Sequence, residues 1–234
     1  MQYASLVLSA LLLLQAAPAR RAAGVHLRRG DQSMSRNKVA DALASYEKAI
    51  EADPGWAAAY VRRGMARRAK GDLDGSIEDY EKARSLDPRS TADNAAVAES
   101  YSNRGLNKFF RLEIGPAVAD FDKAIEHYSK EPDHFFRRGR ARLIDEEFDL
   151  AVADFNRAAA MNNRGNTFLA SLILTHRGFA LLRLGKQSEA EKDFEKSKRL
   201  GGAERYQFEL NLLTIEAQIK ERRRRRADSL KGAT

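Results

Sequence analysis

The chain has 234 residues, of which 43% are apolar and 32% charged, with a formal net charge of +8, five prolines and no cysteine. That length and apolar share suffice for a continuous buried core, and the absence of cysteine excludes disulfides, thiol catalysis and cysteine-ligated metal without fixing a compartment. No stretch shows the period-two alternation of a half-buried strand, so helices are expected to account for the fold.

The first element is apolar. Leu6 to Leu14 is a leucine-rich run, followed by Gln15-Ala-Ala-Pro-Ala19 and then Arg20-Arg21. The run is short for a membrane span, and Ala17 and Ala19 supply the small residues of a signal-peptidase site, so residues 1–19 resemble a secretory signal peptide and imply export to the periplasm or outside. No lysine or arginine precedes the run. The alternatives are an apolar helix covering the next helices of the chain, or a start further downstream; without cleavage the expected location is cytoplasmic.

After this segment the dipeptide Arg-Gly recurs five times, with glycines at 30, 64, 105, 139 and 178. The steps are 34, 41, 34 and 39 residues, so a 34-residue unit repeats with insertions of seven and five. At fixed offsets from each glycine stand a small residue, an aromatic and a second small residue: Ala42, Tyr46, Ala49; Ser76, Tyr80, Ala83; Ala117, Phe121, Ala124; Ala151, Phe155, Ala158; and Ala190, Phe194, Ser197. Glycine and the small residues allow two helix backbones to approach, and the aromatic is expected to fill the space between neighbouring pairs. Pro54 and Pro88 stop the second helix of the first two units; Pro132, three residues late, suggests an extended second helix in the third.

The expected helix pairs lie at about 22–35 and 39–52, 56–69 and 73–86, 91–110 and 114–128, 132–145 and 148–161, and 167–183 and 187–199. The alanine-rich insertion 91–97 is expected to lengthen a helix, and 161–166 reads as a turn.

These residues resemble the tetratricopeptide repeat family over most of the chain. The resemblance implies an all-α solenoid of five helix-turn-helix repeats spanning 22–202, at about 23–56, 57–90, 98–131, 132–165 and 171–203, with 204–234 as a capping helix and basic tail. One departure is systematic. The family's large apolar residue before the glycine is replaced by Arg29, Arg63, Arg104, Arg138 and Arg177, and the residue before the aromatic is Asp79, Asp120, Asp154 or Asp193 in all repeats but the first, which has Ser45. Each arginine is expected to pair with an aspartate of its own or an adjacent repeat. The alternative is that these arginines reach a ligand.

Such arrays usually bind in their inner groove. Two residues before each glycine stand Arg28, Arg62, Asn103, Arg137 and His176, which by family registration would line that groove as donors for carboxylates or carbonyls. Met65, Leu106, Phe109, Phe136, Arg140 and Phe179 would add pockets between them. The alternative is a solvated helix surface without a ligand. A carboxylate clamp of the co-chaperone kind is incomplete: Asn103 and Arg137 match it, while Val61, Met65 and Asp133 do not. What remains is an expected protein or peptide partner, acidic in character.

Catalysis finds little support. His26, His127, His134 and His176 are scattered over different repeats, and His127 and His134, near a turn, read as surface residues; no metal or cofactor motif and no phosphate-binding glycine loop is present, so no cofactor and no small-molecule substrate is expected. The last element, Glu204 to about Ala227, reads as a helix whose apolar first half caps the array. It ends in Arg222, Arg223, Arg224, Arg225 and Arg226, which either form a solvated end or attract an anionic surface, membrane or nucleic acid.

Overall fold

The computed structural model describes residues 2–88, 94–162, 165–201 and 221, with side chains from residue 18 onward. The described residues form ten α-helices and no strand. They are α1 (Gln2–Ser35), α2 (Val39–Ala52), α3 (Ala57–Lys70), α4 (Leu73–Leu86), α5 (Asn94–Phe110), α6 (Ile114–His127), α7 (Pro132–Ile144), α8 (Phe148–Met161), α9 (Thr167–Arg183) and α10 (Gln187–Arg199). Consecutive helices pack as five pairs of an all-α solenoid. The chain divides into two units, one up to Tyr101 and one from Ser102, so the division falls within α5.

Every first helix ends the same way. Seven residues after the repeat glycine the backbone takes a positive φ, at Asn37 (57°), Gly71 (87°), Leu112 (60°), Glu146 (65°) and Gly185 (76°). The next amide then reaches back to a helix carbonyl, as in Lys38 N to Ser33 O (2.8 Å), Asp72 N to Arg67 O (2.9 Å), Glu113 N to Lys108 O (3.0 Å), Glu147 N to Arg142 O (2.9 Å) and Lys186 N to Leu181 O (2.9 Å). This is the Schellman closure, which satisfies carbonyls left open at a helix end and turns the chain into the second helix.

The pair is then held by the glycine and the aromatic of the same repeat. A Cβ placed on Gly139 would lie 2.8 Å from Phe155 Cε1, on Gly105 2.9 Å from Phe121, and on Gly178 3.0 Å from Phe194. The aromatic therefore seats on the glycine of its own pair and also packs against the next pair, as Phe155 does on His176 with ring centres 6.0 Å apart. Phe121 and Phe155 are wholly buried, and Tyr46 and Tyr80 nearly so. In the first unit, Tyr60, Val61 and Tyr80 form a core with Ala96 and Val97. In the second, Phe109, Phe121, Phe135, Phe136, Leu143, Phe155, Ile173 and Phe179 share one core.

Pro132 does not extend the second helix of the third repeat. α6 ends at His127, and Pro132 opens α7, a position where the missing amide hydrogen would be unpaired in any case. The insertion is helical from Asn94 onward, while 91–93 lie outside the described residues. Between α8 and α9, Asn166 caps α9 by accepting from Leu169 N at 3.0 Å. α1 is one helix through Pro18. No helix among the described residues is long and apolar enough to cross a membrane. The expected capping helix and the arginine run 222–226 lie outside the described residues.

Candidate functional site

The arginines before the glycines face their own repeats. Arg63 holds Asp79 through Nε (2.9 Å) and Nη2 (2.7 Å), and Arg104 holds Asp120 at 2.9 and 2.7 Å. Arg138 holds Asp154 at 3.0 and 2.6 Å, and Arg177 holds Asp193 at 2.7 Å through both nitrogens. Four forks at the same spacing show the arginine pairing that the sequence suggested. The four carboxylates are buried. Hydrogen bonds to Asp79 and Asp193 raise the pKa of Arg63 and Arg177 against the effect of burial; for Arg138 burial pulls down and the bonds to Asp154 and Asp122 outweigh it.

Two further features of the forks were missed in the sequence. A second cation one turn on joins three of the aspartates: Arg67 to Asp79 (3.1 Å), Lys108 to Asp120 (2.8 Å) and Arg142 to Asp154 (2.8 Å). The signal was present as Arg-x-x-x-Arg/Lys. The third guanidinium nitrogen also reaches back to the preceding repeat, from Arg138 to Asp122 and from Arg177 to Asn156, both at 2.7 Å. A lysine has three donors but no planar fork to grip both carboxylate oxygens in parallel while reaching a third acceptor.

The expected groove residues separate into three groups. Phe109, Phe136, His176 and Phe179 are buried, at 5%, 4%, 8% and 6% exposure, and belong to the second unit's core, which corrects their reading as an open lining. The His176 ring meets Phe136 at 5.1 Å and Phe155 at 6.0 Å, and its Nδ1 lies 2.7 Å from the carbonyl of Leu172, which requires the proton on Nδ1. Burial, with help from the nearby Arg140 charge, pushes its pKa down to about 3, so it stays neutral. His134 is also buried, against the expectation of a surface histidine, and burial pushes it down to about 4. Its Nδ1 has no hydrogen-bond partner among the described residues.

The second group is partnered within the chain. Arg137 donates from Nη1 to Ser102 Oγ and Asn103 Oδ1, each at 3.2 Å, and pairs through Nε with Asp133 at 2.5 Å. Arg62 pairs with Asp31 at 3.4 Å, and Asp31 in turn accepts from the Tyr46 hydroxyl at 2.9 Å.

The third group is Arg28, which is exposed, and Arg140. The Arg140 guanidinium lies 5.0 Å from the ring centre of Phe109 and 5.7 Å from that of Phe136. It is half-buried and makes no hydrogen bond or ion pair with any described residue. Burial pulls its pKa down, Asp133 opposes that and Arg137 adds to it. α5, α7 and α9 thus bring together Phe109, Phe136, Arg140 and His176: a cation framed by aromatic rings, with its donors free for an acceptor from outside. Among the described residues no group of histidine, aspartate and glutamate could hold a metal ion.

A family model described as a tetratricopeptide repeat matches residues 27–91. A MamA protein of known structure is 21% identical, over 76% of this chain and 91% of its own, with a TM-score of 0.57. Residues 41 to the end of MamA from Desulfovibrio magneticus RS-1 are 14% identical, over 77% of this chain and 95% of their own, with a TM-score of 0.56. YrrB, described as a tetratricopeptide repeat protein with an unusual peptide-binding site, is 18% identical, over 75% of this chain and 84% of its own, with a TM-score of 0.53. At these identities the likeness speaks to the fold. No curated protein matches.

Proposed function

Since the chain is a tetratricopeptide repeat protein, we propose that it is a non-catalytic interaction scaffold which takes a peptide or partner segment on the face where α5, α7 and α9 meet. The observation that carries this reading is Arg140. A half-buried guanidinium held between Phe109 and Phe136 with no acceptor among the described residues is positioned to receive a carboxylate or a backbone carbonyl. The rings fix the guanidinium plane before a ligand arrives, so little side-chain entropy is lost on binding. Asn103 and Arg137, already bonded to one another, border the same face and can exchange that bond for a ligand's. An acidic partner is favoured because the cations here outnumber the carboxylates: Arg137 and Arg140 stand against Asp133.

The test is capture by the full chain from a library of short peptides, with affinities then measured for wild type, R140A and R140K. Loss of tenfold or more in R140A with helicity retained, and only partial recovery in R140K, is the expected result. Equal capture by R140A would remove the site. Export, which rests on the residues around Leu6–Ala19 alone, belongs to the same proposal and is tested separately, by the mass of the secreted protein.

A further inference from the structure

The first repeat breaks the fork. At the position of Asp79, Asp120, Asp154 and Asp193 it has Ser45, and Arg29 makes no hydrogen bond or ion pair with any described residue. The Ser45 hydroxyl is turned to its own helix, donating to the Asp41 carbonyl at 2.8 Å. Between α1 and α2 there is instead an open polar cavity of about 260 Å³, lined by His26, Arg29, Ser33, Asp41, Ser45 and Lys48, of which Arg29, Asp41 and Lys48 are exposed.

We propose that this cavity is a carboxylate-binding site, in which an aspartate or glutamate side chain of a partner protein completes the Arg29 fork in place of the missing acid. Three observations converge on a carboxylate. The four intact forks show what an arginine at this register grips: two oxygens, at 2.6 to 3.0 Å. Arg29 and Lys48 supply two positive charges to the cavity and Asp41 one negative, so an added anion is favoured by charge. Ser33 offers a hydroxyl donor in the same space. The volume exceeds that of a single carboxylate, so an acidic side chain can enter with its neighbours still attached.

The site is remote in sequence from Arg140 and is tested apart from it. The probe is a blocked peptide of alternating glutamate and glycine, titrated into the full chain and followed by amide and arginine Nε chemical shifts. The amide counterpart, with glutamine for glutamate, and inorganic phosphate serve as the other arms. The titration is run in wild type and in R140A, so that binding at Arg140 is not counted; in both, the acidic peptide should shift Arg29 and the amides of Ser33 and Lys48, and R29M should weaken the titration read at those amides tenfold or more. S45D should close the fork within the chain, raising the melting temperature and abolishing the peptide's effect on Arg29. Peptide-induced shifts at Ser33 and Lys48 that survive both R29M and S45D overturn the assignment. Binding of phosphate alone, or of the glutamine peptide equally well, overturns the carboxylate specificity. If R29M fails to fold, S45D decides the matter.

Discussion

Replacing Asp154 by alanine is the sharpest test of the forks. Its carboxylate accepts from Arg138 at 2.6 and 3.0 Å and from Arg142 at 2.8 Å, and only 4% of the side chain is exposed, against 16% for each arginine. D154A leaves two largely buried guanidiniums with a lost partner, a change that costs about 3–5 kcal/mol. A domain of this size is stable by about 5–15 kcal/mol, so the loss is a sizeable fraction of the whole. At about 2–4 °C per kcal/mol the melting temperature should fall by roughly 10 °C. The assay is urea and thermal unfolding followed by circular dichroism. Asp193 provides an internal control, because its repeat has Leu181 where the second cation would stand, so D193A breaks one arginine's bonds and should cost less. A D154A melting temperature within about 1 °C of wild type, or a D193A loss as large as that of D154A, would refute this reasoning.

Acid should destabilise the second unit before its carboxylates titrate. His134 and His176 are neutral when folded, with pKa values pushed down by burial to about 4 and about 3, and ordinary when unfolded. The unfolded state therefore binds more protons below about pH 6.5, and stability falls there by about 1.4 kcal/mol per pH unit for each histidine. H134L should roughly halve that slope between about pH 5 and 6.5; an unchanged slope would exclude His134 as a source. E146G should stabilise by about 0.5–1 kcal/mol, because Glu146 has φ of 65° and a side chain there costs more than glycine's extra freedom; a lower denaturation midpoint would show that Glu146 contributes more by its contacts. G139A forces a Cβ to 2.8 Å from Phe155 and should cost about 1–3 kcal/mol, with partial recovery in the double variant G139A/F155L. Intact-mass measurement of protein secreted from an expression host should show loss of residues 1–19, leaving Arg20, which in the fold pairs with Asp53 and lies 5.0 Å from the Trp56 ring centre; a full-length mass would count against cleavage there.

Helix pairing was legible because glycine, the small residues and the aromatic act at fixed offsets, and each offset has a steric cause that the geometry of Gly139 and Phe155 displays. The forks were legible for the same reason: a charge at an apolar register needs a partner, and an aspartate recurs immediately before the aromatic, at Asp79, Asp120, Asp154 and Asp193. The turn position was not. Asn37, Gly71 and Gly185 suit a positive φ, but Leu112 and Glu146 do not, and there the closure of the helix pair overrides local preference. Pro132 misled because proline marks both the end of one helix and the first turn of the next. The groove reading assigned side chains by family register alone, and register does not tell an open position from a covered one. Phe136 and His176 meet each other across α7 and α9 and are buried by that contact, whereas Arg140, one turn from Phe136 on the same helix, has no hydrogen-bond partner among the described residues.

The fork's third nitrogen gives the array a direction. Arg138 takes its extra acceptor from Asp122 and Arg177 from Asn156, each one residue past the aromatic of the repeat before it. A repeat of this kind offers an acceptor forward and draws one from behind, as links in a chain do. Duplicating or deleting a whole repeat would leave every remaining link matched, and added residues in the turn between repeats are accommodated, since Arg177 reaches Asn156 across a five-residue insertion. Growth by whole repeats is the change this chemistry tolerates, and their number can drift over evolutionary time without a new interface having to be invented.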